Sequence, residues 1–221
     1  MHARAWGWYN TRIVTNGEKA ELRREMAARR KALPAEERKR ASGAVCRSLA
    51  DDDALAAAVV PPRGHGALAV YLASPFEIDL SAFVERMLRL GTVVVSPRWN
   101  GETYELARLK SLDDGALRRG PMGILEPADA DIVDPANVAA WIVPGLAFTT
   151  DGRRLGYGGG WYDRLLALSS ATSLKIGVAH DFQIVGDLPC EAHDVPVDRV
   201  VRCRLRRLCP STSSCRSPLA P

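Results

Sequence analysis

ALAVYLASPFEIDLSAFVERMLRLGTVVVSP, residues 67–97, holds three different patterns in a row. ALAVYL (67–72) is a short continuous apolar run of the kind that fills a strand buried on both faces. LSAFVERMLRL (80–90) has the apolar spacing of an amphipathic helix, and TVVVSP (92–97) is a second, β-branched run. Strand, helix and strand within about thirty residues make a βαβ unit, whose crossover forces the two strands to run parallel. A parallel sheet has to be covered on both faces, so this stretch predicts an α/β protein with a mostly parallel central sheet flanked by helices.

The same alternation continues outward. EKAELRREMAARRKAL (18–33) spaces Leu22 and Met26 four apart among charges and predicts a helix. Pro34 suits the first turn of a second helix, in which Ala41, Val45 and Leu49 repeat at that spacing, and Pro61 with Pro62 closes the pair. Downstream, TYELARL (103–109) half alternates, RRGPMGILEPADADIVDP (118–135) reads as a loop punctuated by Gly and Pro, and AAWIVPG (139–145) reads as a strand. WYDRLLAL (161–168) then predicts a helix and LKIGVAH (174–180) a further strand. No internal repeat is present.

With 221 residues, 47% of them hydrophobic, the chain has ample material for one core. The expected organisation is a single domain over 18–201, preceded by an extension at 1–17 without order and followed by a basic tail at 202–221 rich in Ser, Pro and Cys. A net charge of +4, from 30 basic against 26 acidic residues, is too mild to imply a nucleic-acid partner. The five cysteines, Cys46, Cys190, Cys203, Cys209 and Cys215, include no CxxC pair, and no secretory signal precedes them. Neither a zinc site nor a disulfide framework is indicated, and a reducing cytoplasm is the expected location. No apolar run approaches the roughly 20 residues of a membrane span.

Function concentrates in DGRRLGYGGGWYDRLL, residues 151–166. A dinucleotide fingerprint, GxGxxG, fails because its third glycine position falls on Trp161, and no Walker loop exists in the chain. The chemistry of such loops survives, because consecutive glycines can turn several backbone N–H groups toward one anion and a helix follows directly. Arg153, Arg154 and Arg164 add positive charge nearby, whereas Asp163 would repel a phosphate unless a divalent cation lay between them. The residues by themselves therefore suggest a metal-bound nucleotide, and a glycine-rich surface turn is the competing reading.

VPGLAFTTDGRRLGYGGGWYDRLL (143–166) resembles the signature of the 5-formyltetrahydrofolate cyclo-ligase family, also called methenyltetrahydrofolate synthetase. KAELRREMAARRKAL at the front, YLASPFEIDL (71–80) and LPCEAHDVPVDRVV (188–201) resemble its other motifs in the family's order. The resemblance implies a three-layer, Rossmann-like fold of the NagB/RpiA-transferase type. It also implies ATP-dependent closure of 5-formyltetrahydrofolate to 5,10-methenyltetrahydrofolate through a phosphorylated formyl group, with ATP and Mg2+ required; a monomer is the expected state. Carried over residue by residue, Lys19 and Arg23 match the basic pair on ATP, and Arg154, Leu155, Gly156, Tyr157, Gly158, Gly159, Gly160, Trp161 and Tyr162 match the nucleotide loop. Glu77, Arg154 and Tyr162 are the implied catalytic residues, and Arg23, Leu72, Glu77, Tyr157 and Trp161 the folate contacts. Asp163 and Asp194 match the magnesium acids. The chain differs in placing Trp161 where a tyrosine is frequent, and in its sequence after Val201. Two other readings stay open: a nucleotide- or RNA-binding regulatory module without turnover, and a kinase of another small molecule.

Overall fold

A computed structural model describes residues 16–203 except 65 and 192; the extension at 1–15 and the tail at 204–221 lie outside the described residues. Three helices open it, α1 (Asn16–Ala32), α2 (Ala35–Ala50) and α3 (Asp53–Val59). The decisive stretch then forms β1 (Ala67–Ala69), α4 (Ser81–Arg89) and β2 (Val94–Trp99), with β1 and β2 parallel as a crossover requires. β3 (Tyr104–Arg108) turns back antiparallel along β2. Two short strands, β4 (Leu117–Arg119) and β5 (Leu125–Pro127), pair as a hairpin outside the main sheet. β6 (Val138–Val143) leads into a second small hairpin of β7 (Ala147–Phe148) and β8 (Arg154–Leu155). α5 (Trp161–Ala167), β9 (Leu174–His180) and β10 (Arg199–Cys203) complete the fold.

The main sheet has the order β10-β9-β6-β1-β2-β3, parallel except for the β3 edge. Alternation along its strands divides the core. Leu68, Val70, Val94, Ile142, Ile176 and Val178 pack on one face with Ala41, Val45 and Leu49 of α2, Leu55 of α3 and Phe83 of α4. Ala69, Val95, Trp141, Val143 and Ala179 pack on the other with Phe148 and with Leu165 and Leu166 of α5. The result is the expected three-layer α/β arrangement.

Two readings of the sequence are corrected. Residues 118–135 are not simply a loop, since they contain the β4 and β5 hairpin, and a third helix, α3, precedes the prolines. Asp52 starts that helix by accepting a hydrogen bond from the Leu55 N–H at 2.9 Å. β10 runs two residues past the domain boundary expected at Val201.

The topology fixes where a ligand can sit. In chain order the sheet reads third, second, first, fourth, fifth and sixth strand, so the connections diverge between β1 and β6. Open α/β sheets bind ligands in the crevice beyond the carboxyl ends of the strands at such a switch point. Glu77 follows β1 and the glycine loop follows β6 by way of the β7 and β8 hairpin. α1 lies against that hairpin, with Met26 packed among Leu146, Ala147, Leu155 and Leu188. Lys19 and Arg30 are buried with Met26 on α1, so the inward face of this helix is largely cationic.

Candidate active site

The glycine loop lines a cavity of about 310 Å3 together with Lys19, Arg23, Arg154, Asp163, Glu191 and Asp194. Gly158 and Gly160 have φ values of 100° and 64°, in the left-handed region that glycine adopts without strain, and Gly160 turns the chain into α5. Arg23 Nε donates to the Gly156 carbonyl at 3.0 Å and so ties α1 to the loop.

Two of the three cations in this cavity are already paired with its acids. Lys19 Nζ donates to Glu191 Oε1 at 2.7 Å and to Asp194 Oδ2 at 3.1 Å. Burial pulls the Lys19 ammonium down, but the hydrogen bonds to Glu191 and Asp194 outweigh it and leave the group above the ordinary lysine value. Arg154 Nη2 donates to Asp163 Oδ1 at 2.6 Å, and that oxygen also accepts from the Val195 N–H at 3.2 Å. Among the described residues Arg23 is the lining cation without a carboxylate partner. Arg153, expected to add charge here, points elsewhere and pairs with Asp151 and Asp187.

Glu77 and Leu72 line a second, larger cavity of about 800 Å3, bounded by α2, the segment after β1 and the β4 and β5 hairpin. Glu77 Oε2 accepts from Ser74 N at 2.8 Å and Ser74 Oγ at 2.6 Å. Its Oε1 accepts from the Tyr157 hydroxyl, so the two cavities meet through one hydrogen bond. Half of Tyr157 is exposed, but its hydroxyl sits between the Arg30 and Glu77 side chains, each 9% exposed. The Tyr162 hydroxyl is buried with no partner among the described residues. Burial first, and the Glu77 charge second, hold both phenols well above their ordinary value, so both are neutral donors.

The structure therefore distributes the expected residues over two adjoining cavities, although Leu155, 2% exposed, is chiefly core. Sequence reasoning missed two aromatic neighbours of Trp161. Trp99 and Tyr104 each lie 5.3 Å from it and 5.1 Å from one another, edge to face. Asn100-Gly101 between two such runs is a hairpin signal, and that hairpin sets Trp99 opposite Tyr104.

His180, at the end of β9, is 3% exposed and stacks on Phe182 at 5.7 Å. Burial pushes its imidazole down to about 4 from 6.5. The unfolded chain takes up that proton near 6.5 and the folded chain only near 4. Stability is thus complete above 6.5 and falls as pH drops through this window, by up to about 3 kcal/mol. His180→Phe is expected to lose less stability than the parent between pH 7 and 4, read from urea midpoints. Equal acid slopes in the two proteins would move the effect to other groups.

A cationic helix face, a glycine loop and three acids at a Rossmann-like switch point define an α/β protein with a highly charged cavity beside a second, acid-bearing pocket. The sequence pattern of the 5-formyltetrahydrofolate cyclo-ligase family matches residues 15–203, and the chain belongs to that family. It is 26% identical over 200 residues to the 5-formyltetrahydrofolate cyclo-ligase of Mus musculus, covering 86% of this chain and 95% of that one. It is 33% identical over 138 residues to the enzyme of the same name from Escherichia coli K12, covering 61% and 76% of the two chains. The solved structure of Aquifex aeolicus 5,10-methenyltetrahydrofolate synthetase superposes with a TM-score of 0.71 at 32% identity, over 91% of this chain and 96% of that one.

Proposed function

We propose that the protein converts 5-formyltetrahydrofolate and ATP to 5,10-methenyltetrahydrofolate, ADP and phosphate. The observation that carries this reading is the junction of the two cavities: the glycine loop that would hold phosphates touches, through Tyr157, the acid that would hold folate. Phosphorylation of the formyl oxygen turns it into a leaving group, and attack of the folate N10 on the formyl carbon then closes the ring and expels phosphate. The protein's part is to position the γ-phosphate and neutralise its charge.

Lys19, Arg23, Arg154 and the loop amides of 156–160 bind the phosphates in this scheme. Glu77 accepts hydrogen bonds from the pteridine, Tyr162 offers its free hydroxyl to the reacting group, and Leu72, Tyr157 and Trp161 flank the folate. The charge balance of the smaller cavity supports a role for Mg2+. Three acids accompany three cations, so a polyphosphate entering alone would meet carboxylates already in place. Asp163 and Asp194 are hard oxygen donors of the kind Mg2+ takes in ones and twos beside phosphate oxygens. The described residues contain no group of three or more His, Cys, Asp or Glu side chains placed to hold a metal ion. Bound there, Mg2+ would neutralise charge on the phosphates.

No helix among the described residues is long and apolar enough to cross a membrane. A cytoplasmic monomer without a nucleic-acid partner is the proposed state. The reaction is tested by the rise of methenyl absorbance from 5-formyltetrahydrofolate in the presence of ATP and Mg2+. A folded sample that binds nucleotide yet forms no methenyl product would overturn the assignment.

A further inference from the structure

Arg30 lies within the N-terminal stretch KAELRREMAARRKAL, but it is not among the residues matched to a role there, and the scheme above gives it no task. It is 7% exposed on the inward face of α1, and its Nε has no hydrogen-bond partner among the described residues. A buried guanidinium is costly unless its charge and its donors are matched. Its Nη1 donates to the Tyr157 hydroxyl at 2.5 Å and lies 3.7 Å from Glu77 Oε1, while the same hydroxyl donates to that Oε1. The guanidinium carbon is 5.3 Å from the Tyr157 ring centroid. One side chain therefore reaches both the acid of the larger cavity and the tyrosine within the glycine loop.

Capacity at Glu77 adds a second constraint. Oε2 is filled by the Ser74 N–H and hydroxyl, which leaves Oε1 as the oxygen able to meet a further donor. Among the described residues, Arg30 and Tyr157 are the side chains that set the direction of Oε1. Arg30 is thus placed to orient the oxygen that faces substrate and, through Tyr157, to hold the loop that faces phosphate.

We propose that Arg30 is a positioning residue for the cyclisation, holding Glu77 Oε1 and the glycine loop in one register across the two cavities. The proposal rests on the function assigned above. Met at this position keeps bulk and removes the charge and donors, Lys restores the charge alone, and Tyr157→Phe removes the bridging hydroxyl.

With the full chain, Arg30→Met is expected to lower kcat/KM for 5-formyltetrahydrofolate about 100-fold, with Arg30→Lys recovering about tenfold of that loss. Arg30→Met combined with Tyr157→Phe should be no worse than Arg30→Met alone, because residues acting through one another do not add. Independently of turnover, amide hydrogen exchange at 156–160 in the ligand-free protein should quicken about tenfold in Arg30→Met, with the β6 and β9 amides unchanged. Unaltered loop exchange would overturn the proposal, as would loss of turnover in Arg30→Met without recovery in Arg30→Lys. Absence of turnover in the parent chain would sink the assigned reaction, and loop exchange would still decide the role of Arg30.

Discussion

Asp163→Asn is expected to cost about 3–5 kcal/mol of folding stability in addition to most of the turnover, because it breaks a buried ion pair by removing one member. The Asp163 and Arg154 side chains are 15% and 4% exposed, and their contact is 2.6 Å. An asparagine keeps one acceptor for Arg154 or for the Val195 N–H but leaves the guanidinium without a counter-charge in a place water barely reaches. The effect also reaches the second magnesium candidate, since the Val195 N–H that Asp163 holds directly follows Asp194. Combining Arg154→Met with Asp163→Asn should restore much of the stability lost in either single variant, while activity stays low. Urea unfolding of the three variants measures this directly. Parent-like stability in Asp163→Asn would show that the pair is screened by solvent and that Asp163 serves only the metal.

This prediction departs from what the sequence suggests for the same residue. In DGRRLGYGGGWYDRLL, Asp163 reads as an acid free to take a cation, because nothing in the string shows Arg154 folding back on it across the glycines. The loop itself is legible, since its glycines, aromatics and acid are contiguous. Likewise the βαβ unit at 67–97 is legible because buried strands and an amphipathic helix carry different periods. β4 and β5 are not, since three residues per strand cannot show a period. What holds their hairpin is a long-range device, the buried Glu126, which accepts from Arg118 Nε at 2.8 Å and from the Trp99 N–H at 3.0 Å. α3 is hidden for a different reason: its DALAAAV run is nearly all small apolar residues, with little polar contrast to mark a face. Arg30 could have been found by continuing the spacing of Lys19, Arg23 and Met26 along α1. The habit of assigning buried helix faces to apolar residues works against seeing it.

Glu77→Gln should lower kcat/KM for 5-formyltetrahydrofolate by about 100-fold or more, mainly through KM for the folate, with KM for ATP changed less than about threefold. An ionised carboxylate accepts at both oxygens, and here Oε2 is occupied by Ser74 while Oε1 is shared with the Tyr157 hydroxyl. Glutamine has one acceptor oxygen. If that oxygen serves the two Ser74 donors, the amide NH2 must point toward Arg30 and the substrate, setting donor against donor. Hydrogen bonds to a charged group contribute about 1.5–3 kcal/mol each, so losing one or two accounts for a hundredfold change. The Arg30 contact to the Tyr157 hydroxyl survives the substitution, which keeps the glycine loop in place and spares the nucleotide side. Steady-state kinetics with each substrate varied in turn separates the alternatives. A rise in KM for ATP with the folate KM unchanged would move Glu77 from the folate pocket to the phosphate site, and with it the direction in which the two cavities are read.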